Sequence, residues 1–205
     1  MTRRLVALGA LFVLLALATG PANAADPVLV HVRVEGKTTT LFGATEPLAL
    51  AGNALDALDA ASRAGEIYYH VTQSGFGPNV DQIGRYGASG SAGRVFKVND
   101  ASPPVGADKV ELRAGDRVLW YYADFSSGSG PKTLRLSRVP KTPCYRAVAF
   151  DDSGNASFPQ GAVLHVGAKT VQTQGATGAA MSCLKGHHGL VRATAPGMVR
   201  SNALP

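Results

Sequence analysis

The side chains that could perform catalysis are few in this 205-residue chain, and their spacing matches no catalytic motif. Ser89 lies between Gly87 and Gly90, a spacing that differs from the G-x-S-x-G turn of many hydrolases. The chain has no complete phosphate-binding loop of the form G-x-x-x-x-G-K-S/T and no H-E-x-x-H zinc motif. The sequence therefore predicts no catalytic residues and a protein that is not an enzyme.

Candidate metal ligands are equally scattered. Three histidines fall on separate predicted strands, which favours surface or hydrogen-bonded roles: His31, His70 and His165. Two adjacent histidines, His187 and His188, could bind copper or nickel weakly. Residues 151–155 lack the glycine and the closing glutamate of a calcium-binding EF-hand loop, so a hydrogen-bonded turn is expected there. No metal site and no cofactor are predicted.

The two cysteines, Cys144 and Cys183, are separated by 39 positions. In an exported protein, paired cysteines persist as disulfides. A bridge closing a loop of this length would stabilise the fold by roughly 4 kcal/mol on the chain-entropy model. The alternatives are two free thiols, or metal ligands acting together with His187 and His188. We expect the disulfide.

The N-terminal residues are typical of a secretory signal peptide. Arg3 and Arg4 precede an apolar run over residues 5–18, and small residues at positions 22–24 favour cleavage after Ala24. The apolar run is shorter than the roughly 20 residues of a membrane-spanning helix. The sequence predicts a signal peptide at residues 1–24. The mature protein is then expected to be secreted or in the cell envelope, with no integral membrane segment.

The charge distribution argues against a nucleic-acid partner. The chain has 20 basic and 14 acidic side chains, a net charge of +6. The excess in the mature protein lies after residue 140, where basic residues are scattered rather than interleaved with aromatic residues. A nucleic-acid-binding surface would be denser.

Alternation of residue types predicts the elements of a first domain at residues 25–139. Residues 28–34 alternate valine with other types and predict a strand, and residues 38–42 predict the returning strand of a hairpin. Asn53 is a good cap for a short amphipathic helix that contains Leu55 and Leu58. Further strands are expected near residues 95–98 and 117–122. A helix packed across strands predicts an α+β fold.

Two local features of this domain bear on function. Residues 74–93 are rich in glycine and predict an irregular, mobile loop. In the predicted strand at residues 117–122, Trp120 and Tyr122 share one face and Tyr121 lies on the other. Trp120 is expected in the core.

Residues 140–205 predict a second domain. Short strands recur about every ten residues and are separated by glycine-containing turns. This spacing is typical of a small all-β sandwich.

Residues 28–123 resemble the transcobalamin-like C-terminal domain, a β-grasp-type module. The resemblance depends on four stretches in order: VLVHVRV at residues 28–34, NALDAL at 53–58, VFKVND at 95–100 and LRAGDRVLWYY at 112–122. Two positions depart from the family: Arg94 where tryptophan is frequent, and Asp100 in place of the turn glycine. The resemblance implies a β-grasp-like fold for the first domain.

Residues 144–201 more weakly resemble carboxypeptidase-regulatory-like and bacterial Ig-like sandwiches. The matching stretches are GAVLHVG at residues 161–167, TQGATGAA at 173–180 and LVRATAPG at 190–197. Such modules act as spacers and scaffolds, which the resemblance implies for this part of the chain.

The transcobalamin-like resemblance also implies a ligand-binding surface, because in that family the region before the VNG strand lies near a corrinoid. Transferred to this chain, the ligand-facing residues are Phe76, Asn79, Gln82, Tyr86 and Arg94. Arg94 would favour an anionic partner over a flat neutral ring. The predicted function is an exported, non-catalytic binding or adhesion protein that contacts a corrinoid or another extracellular ligand through residues 74–93. The alternative is a structural spacer of the cell envelope without a small ligand.

Overall fold

The computed structural model describes residues 26–75, 77–176 and 179–205. The predicted signal peptide lies outside these ranges. The elements up to residue 124, here called the first half, are β1 (Val28–Glu35), β2 (Thr40–Phe42), β3 (Leu48–Ala51), α1 (Ala54–Gly65), β4 (Tyr69–Ser74), β5 (Gly77–Ile83), β6 (Tyr86–Gly87), β7 (Ala92–Val98), a 3-10 turn (Ala107–Lys109) and β8 (Arg117–Asp124).

The central sheet of the first half has the strand order β2-β1-β8-β7, and β3 also pairs with β1. Strands β1 and β8 are parallel, whereas the other pairs are antiparallel. Alternation along β1 separates its two faces: Val30, Val32 and Val34 enter the core beneath α1, while Arg33 and Glu35 point the opposite way. Both faces of this sheet are therefore covered.

Helix α1 begins as the sequence predicts. The Asn53 side chain accepts a hydrogen bond from the Asp56 amide at 2.9 Å, which satisfies one of the free N–H groups of the first turn. Gly65 is the last helical residue. Glu66, rather than the glycine, takes the left-handed conformation that ends the helix. Leu58 is 1% exposed and Leu55 packs at the edge of the same core, so the predicted apolar face lies on the sheet.

Leu58→Ala is expected to lower the free energy of unfolding by about 2–5 kcal/mol, since it removes most of a buried side chain and leaves a cavity. Urea unfolding followed by circular dichroism measures the loss. Arg63→Ala on the solvent side of the same helix is the control, with a change within about 0.5 kcal/mol. A Leu58→Ala effect no larger than that of the control would place this helix face in solvent.

Residues 74–93 are not the irregular loop that their glycines predict. Strands β4, β5 and β6 form a three-stranded antiparallel sheet, here called the hairpin sheet, through this stretch. Val80 and Ile83 are buried in the core beneath α1, so β5 packs inward at these positions. The glycines at positions 84 and 90 adopt φ of 63° and 58°, which places them in turns rather than in a disordered loop.

The second half contains only strands among its described residues: β9 (Thr133–Arg138), β10 (Cys144–Phe150), β11 (Ala156–Ser157), β12 (Val163–Val166), β13 (Lys169–Gln172), β14 (Gln174–Ala176), β15 (Ala179–Cys183), β16 (Val191–Thr194) and β17 (Ala203–Leu204). Two sheets enclose one apolar core that includes Leu134, Tyr145 and Leu164. Strand β9, which precedes the predicted boundary at residues 139–140, pairs with β10.

The predicted disulfide between Cys144 and Cys183 is confirmed. The two residues are directly opposite each other on the antiparallel strands β10 and β15. Both thiols are therefore unavailable as metal ligands with His187 and His188.

The two halves meet across the face of the central sheet that points away from α1. The apolar part of this junction comprises Leu119, Tyr121 and Ala123, with Val95 and Val199 packed against them. Fully buried charges lie beside it. Lys97 donates from Nζ to the carbonyls of Phe150 and Asp151 at 3.0 and 2.7 Å, and Glu35 binds arginines of the second half.

The predicted α+β, β-grasp-like class is wrong. Among the described residues the fold is mostly β and sandwich-like, with 48% strand and 9% helix, four sheets and one α-helix. The fold-class prediction failed for a local reason. Only residues near α1 carry a helical pattern, and the stretch predicted as a loop contributes strands instead of coil.

Within the described ranges, the helices are too short or too polar to cross a membrane.

Candidate functional site

Strand β7 lies at one edge of the central sheet and positions a buried arginine, Arg94. Its residues alternate between the two faces. Phe96 packs toward α1, with its ring 5.0 Å from that of Trp120, and Val95 packs into the junction with the second half. Arg94, two residues before Phe96, shares the face toward α1 and the hairpin sheet.

Arg94 is only 7% exposed, and part of its hydrogen-bonding capacity is unused. Its Nη2 donates to the carbonyls of Ile83 and Tyr86 at 2.8 and 2.6 Å. The guanidinium lies 4.9 Å from the centre of the Tyr122 ring. Nε and Nη1 have no hydrogen-bond partner among the described residues. Burial lowers the pKa of Arg94, but a guanidinium stays charged in proteins.

Two clefts meet at this arginine. The junction cleft has a volume of about 300 Å³ and opens where β7 faces the second half. It is lined by Arg94, Val95, Phe96, Ser102, Pro103, Tyr121, Phe125 and Asp152. The hairpin cleft has a volume of about 110 Å³ and lies between β7 and the hairpin sheet. It is lined by Pro78, Asn79, Val80, Arg94, Phe96, Gly106, Ala107 and Trp120.

The junction cleft offers a neutral hydroxyl donor and an apolar wall to a ligand. Burial raises the pKa of the Tyr121 hydroxyl, and the neighbouring Asp152 carboxylate raises it further. Tyr121 therefore remains a neutral hydrogen-bond donor, and it lies 3.4 Å from Asp152 Oδ1. Phe125, at 37% exposure, supplies an open apolar wall.

The structure brings together part of the predicted ligand-facing set. Asn79 and Arg94 line the same hairpin cleft, and the carbonyl of Tyr86 binds Arg94. Gln82 donates from Nε2 to the Gly84 carbonyl at 2.9 Å, and thus supports a turn. Phe76 lies outside the described residues.

Sequence reasoning missed the aromatic and turn residues of the clefts. Phe125 directly follows β8 and Pro103 lies five positions after the end of β7, and no periodic pattern marks either residue as part of a site. The alternation of β7 could have indicated the site. It places Arg94 on the same face as Phe96 and Val98, an apolar face on which a buried arginine needs a partner.

The histidine pair lines a separate recess in the second half. This recess has a volume of about 490 Å³, and its wall contains Lys169, Lys185, His187 and His188 beside Leu184. His187 Nε2 lies 3.0 Å from the Tyr145 hydroxyl. Within the described chain, no three histidine, cysteine, aspartate or glutamate side chains form a group that could hold a metal.

The predicted turn at residues 151–155 is present. Asp151 Oδ1 accepts from the amides of Ser153 and Asn155 at 3.0 and 2.9 Å. These hydrogen bonds hold the pKa of Asp151 below its usual value, the contact with Asn155 being the strongest.

The fold and the clefts together define a mostly β protein with a ligand-sized recess at the edge of one sheet. Residues 52–124 match the family model described as "Domain of unknown function (DUF4430)". The match begins before α1 and ends with β8, so it includes β7, Arg94 and the hairpin sheet. No curated protein matches the chain.

Proposed function

We propose that this is an exported, non-catalytic binding protein that takes an anionic group at Arg94. The observation that supports this most directly is the guanidinium itself, which is more than nine-tenths buried and has two nitrogen atoms without hydrogen-bond partners among the described residues. A buried donor that lacks an acceptor costs about 1–3 kcal/mol. A ligand oxygen that entered from an adjoining cleft, with a small movement of the neighbouring side chains that cover these nitrogens, would supply the acceptor and recover that cost.

The charge of the site argues for the class of ligand. The positive guanidinium attracts carboxylate or phosphate, and the apolar walls formed by Phe96 and Phe125 suit an attached apolar group. The amide-bearing ring of a corrinoid would leave Nε and Nη1 without a charged acceptor.

The family that matches residues 52–124 is described as of unknown function but is associated with transcobalamin-like domains. In those domains the region before the VNG strand lies near the ligand, and this resemblance favours a binding module. The disulfide between Cys144 and Cys183 and the N-terminal sequence favour an extracytoplasmic location. In this proposal, the second half acts as a scaffold that completes the junction cleft with Asp152.

Phenylacetate and phenylacetamide test the proposal, because they differ in charge but little in shape. Each is titrated into isotope-labelled protein, and the NMR shifts of the Arg94 Nε–H and neighbouring amides are followed. Phenylacetate is expected to bind about tenfold or more tightly than the amide, since a hydrogen bond to a charged group contributes about 1.5–3 kcal/mol.

Two variants locate the binding. Arg94→Met is expected to remove the preference for the acid, whereas Arg85→Met, which removes an exposed arginine beside the Tyr86 ring, should retain it. Cobinamide and haem are tested in parallel. Cobinamide binding together with equal affinity of the natural protein for phenylacetate and phenylacetamide would contradict an anion site and favour a corrinoid. Failure of both phenyl ligands to bind would leave the spacer function.

A further inference from the structure

The hydrogen bonds at the two ends of β7 show which backbone groups face its open edge. At one end, Ala92 exchanges both backbone hydrogen bonds with Ser89, at 2.9 and 3.0 Å. At the other end, Val98 exchanges both with Ala101, at 2.9 and 3.1 Å. The next residue, Asn99, donates instead to the Arg117 carbonyl of β8. The even-numbered residues of β7 therefore point their backbone groups away from β8.

Between those two ends the edge is open. Antiparallel pairing alternates between residues bonded to one neighbour and residues bonded to the other. Residues 93, 95 and 97 thus bond to β8, while the backbone N–H and C=O of Arg94 and Phe96 face outward. No strand in the described part of the chain pairs with them there. The chain leaves this edge after Ala101, because the Ser102 amide donates to the Asp152 carbonyl.

The left-handed turn after β7 leaves most of this edge without a pairing strand. Asn99 and Asp100 have φ of 50° and 73°, the geometry of a tight two-residue hairpin turn. The reversed chain pairs with Val98 alone, and residues 102–107 then border the two clefts beside Arg94 and Phe96 without pairing with their backbone.

The two clefts lie on opposite faces of this open edge. The junction cleft contains Val95 and Tyr121, which face the second half. The hairpin cleft contains Phe96 and Trp120, which face α1. Successive side chains of an added strand would point alternately into these two clefts.

We propose that the ligand of this site is an extended peptide of a partner protein, which adds to β7 as an antiparallel strand. This inference rests on the proposed anion site and names its ligand class. The peptide residue opposite Arg94 is acidic and lies on the hairpin-cleft side, where the guanidinium is buried. The residue opposite Val95 is large and apolar and fills the roomier junction cleft.

Charge selects a foreign peptide over a second copy of the chain. If two copies joined through their β7 edges, their Arg94 guanidinium groups would approach each other in a buried setting. Like charges without a counterion are strongly unfavourable there. An acidic peptide supplies the counterion and the backbone partners together.

The probe is acetyl-Ser-Thr-Phe-Glu-Ser-amide, whose threonine, phenylalanine and glutamate are designed to lie opposite Phe96, Val95 and Arg94. Hydrogen exchange of the full exported protein gives a direct readout. In the free protein the amides of Arg94 and Phe96 should exchange fast, while those of Val95 and Lys97 are protected by β8. Within β7, saturating peptide should slow hydrogen exchange only at the amides of Arg94 and Phe96.

N-methylated peptides provide matched controls. Methylation of the threonine or glutamate nitrogen removes a donor that faces β7, and is expected to weaken binding about tenfold or more. Methylation of the phenylalanine nitrogen, which faces solvent in this register, should leave affinity within about twofold. Replacing the peptide glutamate by glutamine should weaken binding to the natural protein but not to Arg94→Met.

The outcomes separate this inference from the proposed function. Phenylacetate binding without peptide binding would overturn strand addition and leave the anion site intact. Equal effects of all three N-methylations would overturn the register and the inference with it. Absence of binding by both phenylacetate and peptide would overturn both. A concentration-dependent dimer in sedimentation that protects Arg94 and Phe96 without peptide would assign the edge to a second copy, contrary to this inference.

Discussion

Glu35→Ala is expected to lower the free energy of unfolding by about 3–5 kcal/mol, because it removes a buried carboxylate that pairs with Arg33, Arg192 and Arg200. Glu35 is fully buried at the end of β1. Its Oε1 accepts from Arg33 at 3.0 Å and from Arg192 at 2.8 Å, and its Oε2 accepts from Arg200 at 2.9 Å. Two of these arginines belong to the second half, so the carboxylate joins the halves.

The loss would come from the charges left behind. Burial already lowers the pKa of Arg192, and the Glu35 carboxylate opposes that shift. Without it, Arg192 and Arg200 lose this ion-pair partner, and Arg33 keeps only Glu46, at 3.2 Å. Glu35→Gln keeps the volume and the acceptor but not the charge, and we expect it to be destabilising by a smaller amount.

Urea unfolding followed by the fluorescence of Trp120, the single tryptophan, measures both variants. Glu111→Ala, at an exposed position, is the control and should change stability by about 0.5 kcal/mol or less. If Glu35→Ala matched that control, the arginines would find other partners and the carboxylate would not hold the halves together.

This cluster illustrates what the sequence predicted and what it could not. The alternation of β1 predicted that Val30, Val32 and Val34 share a face, and they do. The same alternation places Arg33 on the face opposite the valines but does not say what covers that face. The arginines of the second half that pair with Glu35 lie more than 150 positions away in the chain, since the separation from Glu35 is 157 for Arg192 and 165 for Arg200. No local pattern encodes such a contact.

The candidate site was also predicted only in part from the sequence. Arg94 was predicted as a ligand-facing residue from its departure from the family pattern, and the structure places it beside two clefts. The substitution of Asp100 for the turn glycine has a physical account. It adopts the left-handed conformation that the turn requires, and its carboxylate pairs with Arg135 of the second half at 2.6 Å. Strands β5 and β6 of the hairpin sheet were missed because glycine and polar residues conceal their alternation.

Trp120→Ala is expected to cost about 3–5 kcal/mol, and to weaken ligand binding at β7 through loss of support rather than loss of contact alone. Trp120 is 2% exposed, and its indole N–H donates to the Ala54 carbonyl at 3.0 Å, which ties β8 to the first turn of α1. Its ring also supports Phe96. Alanine would leave a cavity beneath the strand whose edge carries Arg94.

Trp120→Phe is the matched variant, because it keeps an aromatic ring against Phe96 and removes only the N–H donor and some volume. We expect a smaller cost of about 1–2 kcal/mol. Hydrogen exchange distinguishes a local from a global effect: in Trp120→Ala the Val95 and Lys97 amides should lose protection more than those of β10 in the second half. Uniform loss across both halves would show that the whole chain unfolds as one unit and that Trp120 has no special role beneath β7. A Trp120→Ala cost below about 1 kcal/mol would contradict its place in the core.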